Sequence, residues 1–175
     1  LDDNRTPVEF EDLPENLVNT LIASEDNRFK NHSGIDWYGT ARAAFFLGKR
    51  GGASTITQQL ARQLFVGVRS SNKFETIKQK AKEWVLAVRL ERSYTKEEII
   101  KMYLNIYDFG NNADGIQSAS KIYFGKEPID LKIEESAMLV GMLQNSSLYN
   151  PLRRAELTKN KRNIVISQLA RYDFI

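Results

Sequence analysis

Two adjacent carboxylates, a basic residue, an aromatic ring and the chain's single histidine fall within Ala23-Ser24-Glu25-Asp26-Asn27-Arg28-Phe29-Lys30-Asn31-His32-Ser33-Gly34. These residue types can do acid–base chemistry. A carboxylate delivered to the end of an apolar-faced helix loses water, and desolvation raises its pKa toward the range where it takes or gives a proton near neutrality. Glu25 holds that position and is the first candidate catalytic residue. The same stretch also reads as a solvated helix end, with Asp26 and Arg28 as surface charges and Phe29 as a core anchor.

Two further stretches carry groups suited to an anion. In Gly51-Gly52-Ala53-Ser54-Thr55-Ile56-Thr57-Gln58-Gln59-Leu60-Ala61-Arg62-Gln63-Leu64-Phe65, the glycines let backbone approach a ligand, and Thr55 with Gln58 has capping-box spacing. Ile56, Leu60 and Leu64 form the expected buried stripe. Ser54, Thr57, Gln58 and Arg62 are left to face something polar at a helix N-terminus, which favours anions; a plain helix cap is the alternative. Further on, Lys80 and Glu83 share a helix face, with Lys82 beside them. Without a ligand that pair is a surface ion pair worth a few tenths of a kcal/mol, on the order of 0.3–0.5.

The elements that must position these groups are helical. Pro14 starts a helix whose Leu17, Val18, Leu21 and Ile22 recur at helical spacing up to Glu25. The segment from Ile35 to Gly48 is short and aromatic. Trp37, Tyr38, Phe45 and Phe46 beside Arg42, Lys49 and Arg50 suit either a helix lying in a membrane interface or a buried core helix. Val66 to Asn72 reads as a loop. Phe74, Ile77, Ala81, Trp84, Val85 and Val88 give a long amphipathic helix to Arg92, and Thr95 with Glu98 repeats the capping-box pattern. The Gly110-Asn111-Asn112-Ala113-Asp114-Gly115 stretch is a turn, Ile133 to Leu143 a buried helix, and Asn150-Pro151 opens a last basic helix. No convincing strand alternation or internal repeat is present, so the expected fold is mainly α.

Composition narrows the function classes. The chain has no cysteine and one histidine, which excludes disulfides and zinc sites of the Cys/His type but leaves carboxylate-bound Mg²⁺ open. A net charge of +3 gives no case for nucleic acid and suits an anionic ligand or a lipid surface. No run of about eighteen apolar residues occurs, so no segment is expected to span a bilayer. The opening Leu1-Asp2-Asp3, without Met, reads as an excised domain whose anchor lies elsewhere.

Taken together, these stretches resemble glycosyltransferase family 51, the peptidoglycan glycosyltransferase domain of class A penicillin-binding proteins and monofunctional transglycosylases. Glu25-Asp26-x-x-Phe29-x-x-His32-x-Gly34 is similar to its first motif, Gly52 to Ala61 to its second, and Lys80-x-x-Glu83 to its third. Tyr103-Leu104-Asn105 with Gly110 and Gly115 is similar to the fourth, and Ala137-x-Leu139 through Tyr149-Asn150-Pro151 to the fifth. The order and spacing extend over nearly the whole chain. It departs where Gln79 stands in place of the usual Arg, where Glu75 lies near a usually basic position that Lys73 or Arg69 could supply, and where Tyr107-Asp108-Phe109-Gly110 replaces a more hydrophobic run.

The resemblance implies a lysozyme-like helical head with a small membrane-facing jaw lobe, roughly residues 35–75 within a single domain 1–175. It implies inverting transfer of a glycan from polyprenyl pyrophosphate to lipid II, with Glu25 and Glu83 catalytic. Asp26, Phe29, His32, Gly34, Ser54, Thr57, Gln58, Gln59, Arg62, Lys80, Lys82 and Asn105 are expected to bind substrate, with His32 and Asp26 as orienters. The expected setting is the outer face of the bacterial cytoplasmic membrane. Mg²⁺, moenomycin-type inhibitors and a following transpeptidase domain are the further expectations. Two other readings share the residues: a lysozyme-like lytic enzyme, and a catalytically inactive lipid- or glycan-binding module.

Overall fold

The computed structural model describes residues 6–45, 54–68 and 70–175. Among them the regular structure is helical: α1 (Glu15–Glu25), α2 (Trp37–Phe45), α3 (Ile56–Ala61), α4 (Lys73–Ser93), α5 (Lys96–Ile106), α6 (Gly115–Phe124), α7 (Ile133–Met142) and α8 (Ala155–Arg171). The only pairing of strand type there is one antiparallel bridge, Asp108 with Asp114. The chain divides into two compact units, one made of Leu1–Asn27 with Leu104–Ile175, the other of Arg28–Tyr103. The second unit contains the 35–75 segment and extends well beyond it.

In the first unit α1 packs against α7 and α8. Leu17 and Leu21 are fully buried and Ile22 nearly so, the face that the helical spacing sets. Each such side chain contributes roughly 1.5–3 kcal/mol by leaving water. Polar ties fix the register: Ser136 Oγ donates to Asn16 Oδ1 at 2.6 Å, and Asn16 Nδ2 donates to the Leu131 carbonyl at 2.8 Å. The turn before α6 needs its glycine. Gly115 has φ +78°, and a Cβ there would lie 2.6 Å from the Asn105 carbonyl oxygen. The last helix begins at Ala155, later than Asn150-Pro151 suggested. Asn150 is instead 3% exposed and accepts from the Leu152 N–H at 3.0 Å, closing a turn ahead of the helix.

In the second unit α3 packs on α4. Ile56, Leu60, Ala87, Ile99 and Tyr103 are completely buried. Two expected stripes are corrected here. Leu64 is 42% exposed, because the chain leaves α3 through a π-helical turn at Arg62–Val66 that breaks the 3.6-residue register. On α4, Phe74, Ile77 and Val85 are exposed, whereas Glu83, Ala87 and Leu90 are buried. The buried face of α4 is therefore set by the glutamate and by small or aliphatic residues, not by the aromatic end of the helix.

Candidate active site

Glu25 is the last residue of α1 and is partly buried. Asp26 caps the helix, 8% exposed, its N–H donating to the Ile22 carbonyl at 3.0 Å. Both belong to the first unit. The remaining residues of the first motif belong to the second, where they meet those of the second and third.

Gly34 is the pivot of that second unit. Its φ is +92°, and a Cβ would lie 2.8 Å from the backbone carbon and oxygen of Ala87 on α4, so only glycine allows this approach. Its carbonyl accepts from Thr55 Oγ1 at 2.8 Å and from Gln58 Nε2 at 3.1 Å. Thr55 also caps α3 by accepting from the Gln58 N–H at 3.1 Å. Only this half of the expected capping box forms with Thr55, because the Gln58 amide is turned to Gly34 and to Lys80.

The Lys80 ammonium donates to Ser54 Oγ at 2.8 Å, Gln58 Oε1 at 2.9 Å and Glu83 Oε2 at 3.0 Å. Glu83 is 1% exposed and Gln58 fully buried. A buried carboxylate is costly without a partner, so this is no surface ion pair. An ammonium has three N–H donors, and here they converge on three oxygens, two from the start of α3 and one from α4 itself. The arrangement is an oriented positive centre next to a helix start, able to stabilise an anion.

A second junction lies alongside. The Lys96 ammonium donates to Glu91 Oε1 at 2.8 Å and to the His32 carbonyl at 2.7 Å, and it sits 4.2 Å from the centre of the Phe29 ring. Glu91 Oε1 also accepts from Thr57 Oγ1 at 2.6 Å. Thr57 is thus completely buried and bonded inside the fold, instead of facing a ligand. Phe29 is also fully buried, with the His32 ring edge-on at 6.1 Å. Gln59 Oε1 accepts from the Tyr103 hydroxyl at 2.9 Å. Arg62 is partly exposed in the π turn, and Lys82 is exposed on α4.

Asn105 and Gln79 are both bonded within their own units. Asn105 is used by the fold: its Oδ1 accepts from the Val8 N–H and its Nδ2 donates to the Val8 carbonyl, both at 2.9 Å. One side chain thereby satisfies both backbone groups of Val8. Gln79 clamps a loop, donating to the Val68 carbonyl at 3.1 Å and accepting from the Ser70 N–H at 3.0 Å. An arginine has no acceptor and could make only the first of these bonds. Glu75 pairs with Lys78 at 2.9 Å. Phe46, Lys49, Arg50, the Gly51-Gly52 pair, Ala53 and Arg69 lie outside the described residues.

Glu91 and Lys96 escaped the sequence reading. A signal was present: Glu91 lies near the C-terminal end of α4 and Lys96 at the first position of α5, each at the helix end whose partial charge opposes it.

The donor set suits a lysine more than a protein-held metal. Among the described residues no group of three His, Asp or Glu side chains is placed to hold an ion. Lys80 already occupies the carboxylate of Glu83.

The fold is similar to part of a solved penicillin-binding protein. The crystal structure of penicillin-binding protein 1A from Haemophilus influenzae superposes with a TM-score of 0.57 at 21% identity, over 98% of this chain and 16% of that one. The chain belongs to the transglycosylase family, whose model matches residues 1–170. Among curated relatives it is 39% identical over 170 residues to penicillin-binding protein 2a of Streptococcus pneumoniae, covering 97% of this chain and 23% of that protein. It is 41% identical over 169 residues to penicillin-binding protein 1A of Haemophilus influenzae, covering 94% of this chain and 19% of that protein. The chain spans about a fifth of the length of these relatives.

Proposed function

We propose that this domain is a peptidoglycan glycosyltransferase, moving a growing glycan from polyprenyl pyrophosphate to the sugar 4-hydroxyl of lipid II with inversion. The observation that carries the reading is the Lys80 ammonium held by Ser54, Gln58 and the buried Glu83. A pyrophosphate leaving group brings its own negative charge and needs an oriented cation more than a proton. A lytic enzyme, whose leaving group is a neutral sugar, has no such need.

In this reading the hydroxyl oxygen attacks the anomeric carbon, and its proton passes to the Glu25 carboxylate acting as general base. The bond from the anomeric carbon to the pyrophosphate oxygen breaks, and its electron pair leaves with the phosphate. Ser54 is the least buried of the three groups on Lys80. A phosphate oxygen therefore reaches the ammonium by replacing the Ser54 hydroxyl, while Gln58 and Glu83 keep it aimed. Glu83 acts through Lys80. A divalent cation such as Mg²⁺, if carried in on the pyrophosphate, would supply further positive charge to the leaving group, while Lys80, Ser54, Gln58 and Glu83 keep the roles given above.

The lipid end of such a substrate favours a membrane surface. In the second unit Trp37, Tyr38 and Phe45 of α2 are 65%, 62% and 82% exposed. Phe74, Ile77 and Val85 of α4 are exposed beside Lys73, Lys78 and Lys82. A shallow depression of about 420 Å³ lined by Ala81, Lys82, Val85 and Leu86 lies on the same helix. Apolar side chains ringed by lysines suit an anionic lipid interface. Among the described residues no helix is long and apolar enough to cross a membrane. We place the domain at the outer face of the bacterial cytoplasmic membrane, where a moenomycin-type phosphoglycolipid would compete for the same anion site.

The test is lipid II polymerisation in detergent with Mg²⁺, comparing the native chain with Glu25→Gln. Polymer from the native chain alone supports both the activity and the base. Polymer from both removes Glu25 from its role. Shortening of added glycan polymer, with none made from lipid II, would select the lytic reading.

A further inference from the structure

We propose that Glu91 and Lys96 form a positioning pair that aligns the first-motif loop with the Lys80 centre; this rests on the glycosyltransferase reading above.

The pair is misplaced as far as helix stability goes. A carboxylate near a helix C-terminus and an ammonium at a helix N-terminus each meet a partial charge of their own sign. Violations of a local rule that persist in a packed structure point to a demand from elsewhere. Here the demand is visible in what the pair touches. The Glu91 side chain is only 5% exposed, and its Oε1 receives both Lys96 and the Thr57 hydroxyl. The Lys96 ammonium reaches the His32 carbonyl and caps the Phe29 ring. One ion pair therefore joins the loop of Phe29 and His32, the helix of Thr57 and the C-terminal turn of α4.

The same loop and helices are tied a second time two residues further on. The Gly34 carbonyl accepts from Thr55 and Gln58, and Gln58 in turn accepts from Lys80. Between the two ties lie only Ser33 and the His32–Gly34 backbone. The first tie thus fixes the direction in which the Gly34 carbonyl points, and so where Gln58 presents its oxygen to the ammonium. An ammonium misplaced by a fraction of an ångström still binds an anion. Its help to a specific transition state falls off much faster.

This predicts a loss of turnover larger than any loss of binding. Native chain, Lys96→Met, Lys96→Arg and Glu91→Gln are compared for kcat and KM in lipid II polymerisation, with circular dichroism confirming the folded state. Lys96→Met is expected to lower kcat at least 30-fold with KM for lipid II within threefold. Lys96→Arg, which keeps the charge and the donors, is expected to recover to within fivefold of native. Glu91→Gln keeps an oxygen for Thr57 but loses the charge, and should lower kcat about tenfold; it carries the test where Lys96→Met fails to fold. A folded Lys96→Met or Glu91→Gln with native kcat overturns the proposal. So does a loss that tracks the unfolded fraction and vanishes on cooling. Polymer from the native chain with unaffected variants sinks only the positioning role, whereas no polymer from the native chain sinks the transferase reading and this one with it.

Discussion

The Lys80 ammonium stands 3.0 Å from Oε2 of Glu83, whose side chain is 2% exposed. Removing one partner strands the other. Lys80→Met leaves the enclosed Glu83 without its partner, and is expected to cost near the low end of about 3–5 kcal/mol, since Lys80 keeps some access to water. Lys80→Met combined with Glu83→Met should recover most of that loss, because an apolar pair of similar volume replaces the charges without desolvation. Neither variant should make polymer. Urea denaturation and lipid II turnover on the same samples separate stability from function, and a double variant no more stable than Lys80→Met would contradict the pairing.

Gly34→Ala tests the backbone approach to α4. The positive φ and a Cβ 2.8 Å from Ala87 backbone atoms leave no cheap relaxation. The left-handed conformation costs roughly 1–2 kcal/mol and overpacking about 1–3 kcal/mol. A loss of about 2–5 kcal/mol on thermal or urea unfolding is expected. A substitution with no measurable effect would show that the loop can leave α4.

Asn105→Ala should behave as a folding variant. It deprives the Val8 N–H and carbonyl of both partners, a loss of about 1–3 kcal/mol. Below its unfolding transition the protein should keep lipid II turnover and KM within about threefold of native, a factor equivalent to less than 1 kcal/mol. A large rise in KM at full folding would return Asn105 to the substrate.

Acid sensitivity in the first unit should pass through Glu135. Its burial works against the charge, but the Lys126 ammonium at 2.7 and 2.9 Å and the Lys132 N–H at 2.8 Å outweigh it, and hold the carboxyl below its usual 4.5. The folded pKa is depressed, so the unfolded chain binds more protons in this range and stability rises with pH. The contribution is complete above the unfolded value and disappears as pH falls through the folded one. Glu135→Gln should therefore flatten the stability profile between about pH 5 and 3, by about 1 kcal/mol or less for a partly exposed pair. Urea midpoints across that range provide the measurement.

Helical spacing made most of the fold legible, and one capping box appears as read: the Thr95 N–H donates to Glu98 Oε2 at 2.7 Å while Thr95 Oγ1 accepts from the Glu98 N–H at 3.2 Å. Periodicity failed where hydrogen bonding changed its period, at Leu64 in the π turn. It failed again on α4, where Phe74 and Ile77 continue an apolar pattern along a face that is exposed. The third-motif pair was legible as an i, i+3 spacing, but its burial was not, because Ser54 and Gln58 come from another element. Glu91 and Lys96 face each other across the break between α4 and α5 at Tyr94–Thr95, where helical spacing says nothing about which side chains meet.

His32 is the only histidine of the 175 residues, and its Nδ1 accepts from the Gly34 N–H at 3.2 Å. A ring nitrogen that accepts carries no proton, and this bond favours hydrogen on Nε2 over hydrogen on Nδ1. The chain consequently has a built-in magnetic reporter. One imidazole gives one set of ¹⁵N resonances, with no need for assignment by mutation, and its two nitrogen shifts distinguish the tautomers directly. Because the carbonyl of this residue is the one Lys96 holds, a single spectrum follows the first-motif loop through titration with a phospholipid, an inhibitor or a substrate.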